Sequence, residues 1–155
     1  MVKSRRKLKI GIVGCGTIGS FLAKSIQNDL KDKAKLTAVY DKVLEKAYIL
    51  ASSFKNRKLA AVNLEALILR SDLVIEAASA AASAGIVKSC LSAGRDCMVM
   101  SVGGLLEGHK ELFNLAREKK RSIYIPSGAI GGIDAVKSLA ATKIHKITIN
   151  SYKPP

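Results

Sequence analysis

Lys9-Ile10-Gly11-Ile12-Val13-Gly14-Cys15-Gly16-Thr17-Ile18-Gly19-Ser20 (KIGIVGCGTIGS) is the stretch whose reading decides the fold. A short apolar run ends in Gly14-Cys15-Gly16-Thr17-Ile18-Gly19, the spacing G-x-G-x-x-G, and apolar residues then recur at helical spacing at Ile18, Phe21, Leu22 and Ile26. That is a strand, a tight turn and a helix. Gly14 suits the turn, Gly16 lets a pyrophosphate approach the backbone, and Gly19 lets helix and strand pack closely. The first turn of the helix offers unpaired N–H groups and partial positive charge to phosphate. Gly14, Cys15, Gly16, Thr17, Ile18 and Gly19 are therefore the candidate dinucleotide contacts. The pattern alone is weak, and its strand–helix context raises its value.

Asp41 adds a second element. It closes the apolar strand Leu36–Tyr40, 22 positions after Gly19, where an acid hydrogen-bonds the adenosine ribose. An acid there favours NAD by repelling a 2′-phosphate, while Lys42 beside it leaves NADP open. Both NAD and NADP are carried forward as cofactors.

Outward from these residues the rhythm of strand and helix repeats. Leu44–Phe54 reads as a helix, Leu59–Val62 as a brief third strand, and Asn63 as the cap of a short helix Leu64–Leu69. Leu73–Ile75 and Cys97–Met100 are buried strands around a helix that follows Ser79 and ends near Gly94. A helix near Lys110–Lys120, the strand Ser122–Ile125, a glycine-rich loop, a helix Asp134–Ala141 and an alternating strand Ile144–Asn150 complete the chain. The fold class expected is α/β, a Rossmann-type doubly wound and mostly parallel sheet. The change of character near Pro126 is the candidate boundary between residues 1–125, a dinucleotide-binding domain, and residues 126–155.

Three strand ends carry small or hydroxyl residues: Ala77-Ala78-Ser79, Ser101-Val102-Gly103 and Ser127-Gly128-Ala129. Ligands of open α/β sheets lie beyond such carboxyl ends. Ala78, Ser79, Ser101, Ser127, Gly128 and Ala129 are accordingly expected along the ribose and nicotinamide side of one groove. Each also reads as a simple helix cap. Glu76 reads equally as a buried carboxylate or a rim residue, and Cys15 as a small residue of the phosphate loop or, less readily, a redox sensor.

Composition narrows the class. The 155 residues are 48% hydrophobic and 25% charged, which is globular. No apolar run reaches the roughly 18–20 residues that span a bilayer, so no membrane association is expected. The basic start leads directly into the glycine motif, and no cleavable leader is expected. Three cysteines, Cys15, Cys90 and Cys97, favour a reducing, cytoplasmic setting. No CxxC occurs and no metal site is expected. The net charge of +14 is concentrated in residues 1–58, which hold 14 Lys and Arg against 4 Asp and Glu. Aromatic content of 5% offers no stacking platform, so a solvated basic face is favoured over a nucleic-acid surface.

Several longer segments carry a resemblance. Val74-Ile-Glu-Ala-Ala-Ser79, Cys97-Met-Val-Met-Ser-Val-Gly103, Ile123-Tyr-Ile-Pro-Ser-Gly-Ala-Ile-Gly-Gly-Ile-Asp-Ala135 and Lys153-Pro-Pro155 together resemble the NAD(P)-dependent L-aspartate dehydrogenase family. The resemblance implies a Rossmann domain joined to a smaller α/β substrate domain, in a homodimer, so that residues 126–155 would be the first helix and strand of an incomplete α/β substrate domain. It implies interconversion of L-aspartate, a small dicarboxylic amino acid, with iminoaspartate and then oxaloacetate plus ammonia, feeding NAD synthesis in some organisms. Gly14, Gly16 and Gly19 would hold the pyrophosphate, Asp41 the ribose, and Ala129 matches a cofactor-contacting alanine. The family's catalytic histidine lies beyond the KPP segment; neither His109 nor His145 matches it, and no catalytic residue is assigned. The expectation is a truncated chain, inactive alone. Two alternatives stay open: a non-catalytic dinucleotide-binding module, and a dehydrogenase of homoserine dehydrogenase or dihydrodipicolinate reductase type.

Overall fold

Five parallel strands form one sheet in the order β2-β1-β3-β4-β5 in the computed structural model, which describes residues 6–126 together with Lys146 and Thr148. The strands are β1 (Leu8–Val13), β2 (Ala34–Tyr40), β3 (Leu73–Glu76), β4 (Asp96–Val99) and β5 (Ile123–Tyr124). β1 pairs with β2 on one side and β3 on the other, and β3–β4 and β4–β5 continue the sheet. The chain thus leaves β1 for one neighbour and later returns to the other. The resulting switch point lies at the carboxyl end of β1, where Gly14 follows Val13.

Five α-helices cover both faces. They are α1 (Thr17–Asn28), α2 (Leu44–Ser53), α3 (Leu64–Leu69), α4 (Ala80–Ser92) and α5 (His109–Lys119). On one face Ile10, Ile12, Leu36 and Ile75 pack with Ala23 and Ile26 of α1 and Ala47, Leu50 and Ala51 of α2. On the other, Val13, Val74, Cys97 and Val99 meet Leu67 of α3, Val87 and Leu91 of α4 and Leu112 of α5. This two-sided burial explains why β3 is apolar until its last residue. Each large side chain buried in these layers contributes roughly 1.5–3 kcal/mol.

Most elements fall where the periodicity places them. Asn63 caps α3, its side-chain oxygen accepting from the Ala66 N–H at 2.8 Å. The brief third strand expected at Leu59–Val62 is not a strand. Arg57–Leu59 forms a 3-10 turn, and Ala60 makes a single parallel bridge to Val39. Only the Ala61 N–H reaches the sheet, at the Val39 carbonyl, before Asn63 starts a helix. The Arg70 guanidinium takes the carbonyls of Thr37 and Lys58 at this edge, and Val62 is exposed. The turn takes Leu59 out of the run and the Asn63 cap turns the chain into α3, so Ala60 alone is left to bridge.

The expected helix Asp134–Ala141, the residues Ser127, Gly128, Ala129 and His145, and the strand Ile144–Asn150 except Lys146 and Thr148 lie outside the described residues. Among the described residues no helix is long and apolar enough to cross a membrane, and no three His, Cys, Asp or Glu side chains cluster as metal ligands.

Candidate functional site

The turn after β1 is built by backbone geometry. Gly14 has φ +96°, a conformation L side chains rarely adopt, and a Cβ there would run into the backbone of Ala77 at the end of β3. Its N–H donates to the Tyr40 carbonyl at 2.8 Å, joining the turn to the end of β2. Gly19 serves packing: a Cβ on it would collide with the Gly14 carbonyl oxygen. At Gly16 a Cβ would meet nothing within 4 Å, so the loop is open there.

Gly16 is also the N-cap of α1. No side chain caps this helix, and its first turn holds no acid. Its leading amides therefore meet no capping side chain or acid of the helix itself, and the start of such a helix is a ready phosphate cradle.

Asp41 lies across from this helix end. One carboxylate oxygen accepts from the Cys15 N–H at 2.8 Å, and the other from the Val43 N–H at 2.9 Å. Ionised carboxylate oxygens each retain acceptor capacity after one bond, so the group remains able to take ribose hydroxyls. The Cys15 thiol beneath it is pushed up to about 12 by burial and then by the Asp41 charge, with Lys46 opposing. At neutral pH Cys15 is a neutral, packed thiol.

A cavity of about 590 Å³ runs from this loop along the strand ends. Gly14, Gly16, Asp41, Ala78 and Ser79 of the expected site residues line it together. Ser79 is the N-cap of α4, and its hydroxyl makes no capping bond. Ala77, Ala81 and Ala82 keep the wall low. Cys15, Gly16 and Thr17 border a second cavity of about 490 Å³ between α1 and α2. Ile18, Gly19 and Ser101 line neither: Ile18 is exposed, Gly19 is packed on Gly14, and Ser101 follows β4. Ser127, Gly128 and Ala129 lie outside the described residues.

Glu76 turns out to be the buried alternative. It is fully enclosed, and its two oxygens accept from the Ala78 N–H at 2.8 Å and the Ser101 N–H at 3.1 Å. One carboxylate thereby holds the turns after β3 and β4, and Ser101 reaches the site through this link. Sequence reasoning also missed Lys46 and Ile86, which line the larger cavity. A basic residue five positions after Asp41, in the first turn of the next helix, was the available signal for Lys46. His109 donates from Nδ1 to the Leu106 carbonyl (2.9 Å) and packs edge-on against Phe113, lining neither cavity.

Comparisons with known proteins agree with this geometry. Residues 14–126 match the family described as "Homoserine dehydrogenase, NAD binding domain". The chain is 41% identical over 150 residues to an L-aspartate dehydrogenase of Methanosarcina barkeri (strain Fusaro) and 43% identical over 150 residues to that of Methanosarcina acetivorans. Each alignment covers 96% of this chain and 55% of the relative, so the chain spans about half the length of the curated relatives it matches. Among solved structures, GenD2 from gentamicin A biosynthesis, in complex with NAD, superposes with a TM-score of 0.71 at 23% identity, over 89% of this chain and 40% of that one. That likeness is one of fold.

Proposed function

The chain belongs to the family of the homoserine dehydrogenase NAD-binding domain, and from that premise we propose that its described part is the cofactor-holding half of an L-aspartate dehydrogenase. The single observation that carries the cofactor part is the open face at Gly16 beside the uncapped start of α1, with Asp41 fixed opposite. The amides of Gly16, Thr17 and Ile18 receive the pyrophosphate, Gly14 shapes the turn, and Gly19 keeps helix and strand in contact. Asp41 takes the adenosine ribose hydroxyls. Ala78 and Ser79 leave room along the wall for the rest of the dinucleotide, and Ser101, held by Glu76, extends that side.

When bound, the nicotinamide exchanges a hydride with the α-carbon of the amino acid. The identity of the relatives supports L-aspartate as the substrate, released through iminoaspartate as oxaloacetate and ammonia, and a place feeding NAD synthesis. By the same resemblance Ala129 contacts the cofactor, residues 1–125 form its domain, and residues from 126 onward begin a substrate and dimer domain; Ser127 and Gly128 join the groove as small residues beside Ala129. A cytoplasmic homodimer acting on small molecules, without nucleic acid or membrane, completes the reading.

Calorimetric titration with NADH tests the groove. The chain binds NADH, and Asp41→Ala weakens it about tenfold or more, since hydrogen bonds to a charged group contribute roughly 1.5–3 kcal/mol. Failure of the parent chain to bind NADH or NADPH refutes the proposal. For the substrate, aspartate-dependent appearance of NADH absorbance is followed with the whole protein. Cofactor binding without that turnover favours a non-catalytic binding module instead, and turnover with homoserine in place of aspartate the related dehydrogenase.

A further inference from the structure

Two cavities meet at the phosphate loop, and Gly16 and Lys46 line both. The partition between them is the Asp41–Cys15 contact: Asp41 borders the larger groove, Cys15 the smaller cavity, and the hydrogen bond of 2.8 Å joins them. A sugar held at Asp41 therefore has its hydroxyls next to the passage between the two spaces.

The smaller cavity has its own chemistry. Lys24 of α1 and Lys46 of α2 line it, together with Thr17, Ser20 and Ser53. No carboxylate lines it. Ser20 spends its hydroxyl proton on the Cys15 carbonyl and Ser53 on the Leu50 carbonyl, and each keeps its oxygen as an acceptor. Neither lysine makes an ion pair among the described residues. On the groove side, Lys42 stands with Lys46 against the one acid, Asp41. That acid is tied to two backbone amides, so it holds its place beside whatever occupies the sugar position.

A phosphate monoester on the ribose 2′ oxygen carries about −1.5 to −2 charges at neutral pH. Beside a fixed carboxylate alone it would be rejected. Beside a fixed carboxylate and a cavity walled by two ammonium groups it has a place to go. We infer that the cavity between α1 and α2 receives the 2′-phosphate of NADPH, and that Lys46 is the residue that decides how well this coenzyme is accepted relative to NADH. The inference rests on the assignment of the larger groove to the dinucleotide. NADH lacks the phosphate and has no group to place in the smaller cavity, so it meets Lys46 only from the groove side and depends on it less than NADPH does.

The test is titration of the full chain with NADH and NADPH at two salt concentrations, beside Lys46→Ala and Lys24→Ala; both side chains are exposed, and circular dichroism melts confirm folding. The parent binds NADPH within tenfold of NADH, and its NADPH affinity falls more steeply with salt. Lys46→Ala weakens NADPH at least tenfold more than it weakens NADH; Lys24→Ala moves NADPH in the same direction by less. As a fragment probe, 2′,5′-ADP loses at least tenfold more affinity than 5′-ADP in Lys46→Ala. The inference is overturned if the parent binds NADPH more than tenfold more weakly than NADH, or if Lys46→Ala affects both coenzymes alike or neither. Absence of NADH binding by the parent overturns the groove itself, a distinct result.

Discussion

The carboxylate of Asp41 accepts a 2.8 Å hydrogen bond from the backbone N–H of Cys15, tying the end of β2 to the turn after β1 across 26 residues of sequence. The second bond, from Val43, fixes the carboxylate from the other side. The loop and its acid are thus set relative to each other by the protein alone. Such preorganisation lowers the ordering cost that a ligand must otherwise meet.

The first consequence is a pH dependence at Cys15. Its folded pKa of about 12 lies above the ordinary value of 9.0, through burial and then the Asp41 charge, with Lys46 opposing. The folded state therefore holds this proton where the unfolded state has lost it. The stabilisation is fully present below pH 9 and is lost as pH rises from 9 toward 12. Alkylation by iodoacetamide at pH 8 should run roughly two to three orders of magnitude more slowly at Cys15 in the native protein than in urea, because the thiolate is the nucleophile. Comparable rates in both states, read by peptide mass spectrometry, would show that the thiol is neither buried nor held neutral.

Three glycines separate structural from functional need. Gly19→Ala places a methyl against the Gly14 carbonyl oxygen and should cost about 1–3 kcal/mol or more in denaturant unfolding. Gly85→Ala, in the interior of α4 with nothing within 4 Å, should be neutral or stabilising by up to about 1 kcal/mol. Gly16→Ala has φ −75° and free space, so it should fold normally and lose NADH affinity by tenfold or more, its methyl occupying the phosphate approach. An unimpaired Gly16→Ala in the calorimeter would count against the loop as the phosphate seat.

Glu76 supports the opposite wall. Glu76→Ala removes the acceptor of both the Ala78 and Ser101 amides, and each donor left unpaired in a buried site costs about 1–3 kcal/mol. Glu76→Gln keeps one acceptor oxygen and should recover part of that loss. Equal unfolding free energies for the parent and Glu76→Ala would mean that the two turns stand without it.

Much of this was legible in the residue pattern. The glycine spacing after an apolar strand, Asp41 closing the next strand and the apolar β3 specify a parallel sheet with a phosphate loop, because period and turn chemistry are local properties. Where length was marginal the pattern misled. Leu59–Val62 has strand composition, yet the turn before it and the Asn63 cap after it leave room for one bridge.

The sequence by itself determined the class of fold and the place of the glycine turn between β1 and α1, since apolar period and glycine spacing are local properties. Only the tertiary structure decided what Glu76, Ser101 and Lys46 do. Glu76 is buried because two turns from different strands close over it, and Ser101 joins the site through that carboxylate rather than through its hydroxyl. Lys46 borders two cavities because α1 and α2 cover the same face of the sheet. Burial and juxtaposition arise from segments distant in the chain, and no local pattern encodes them.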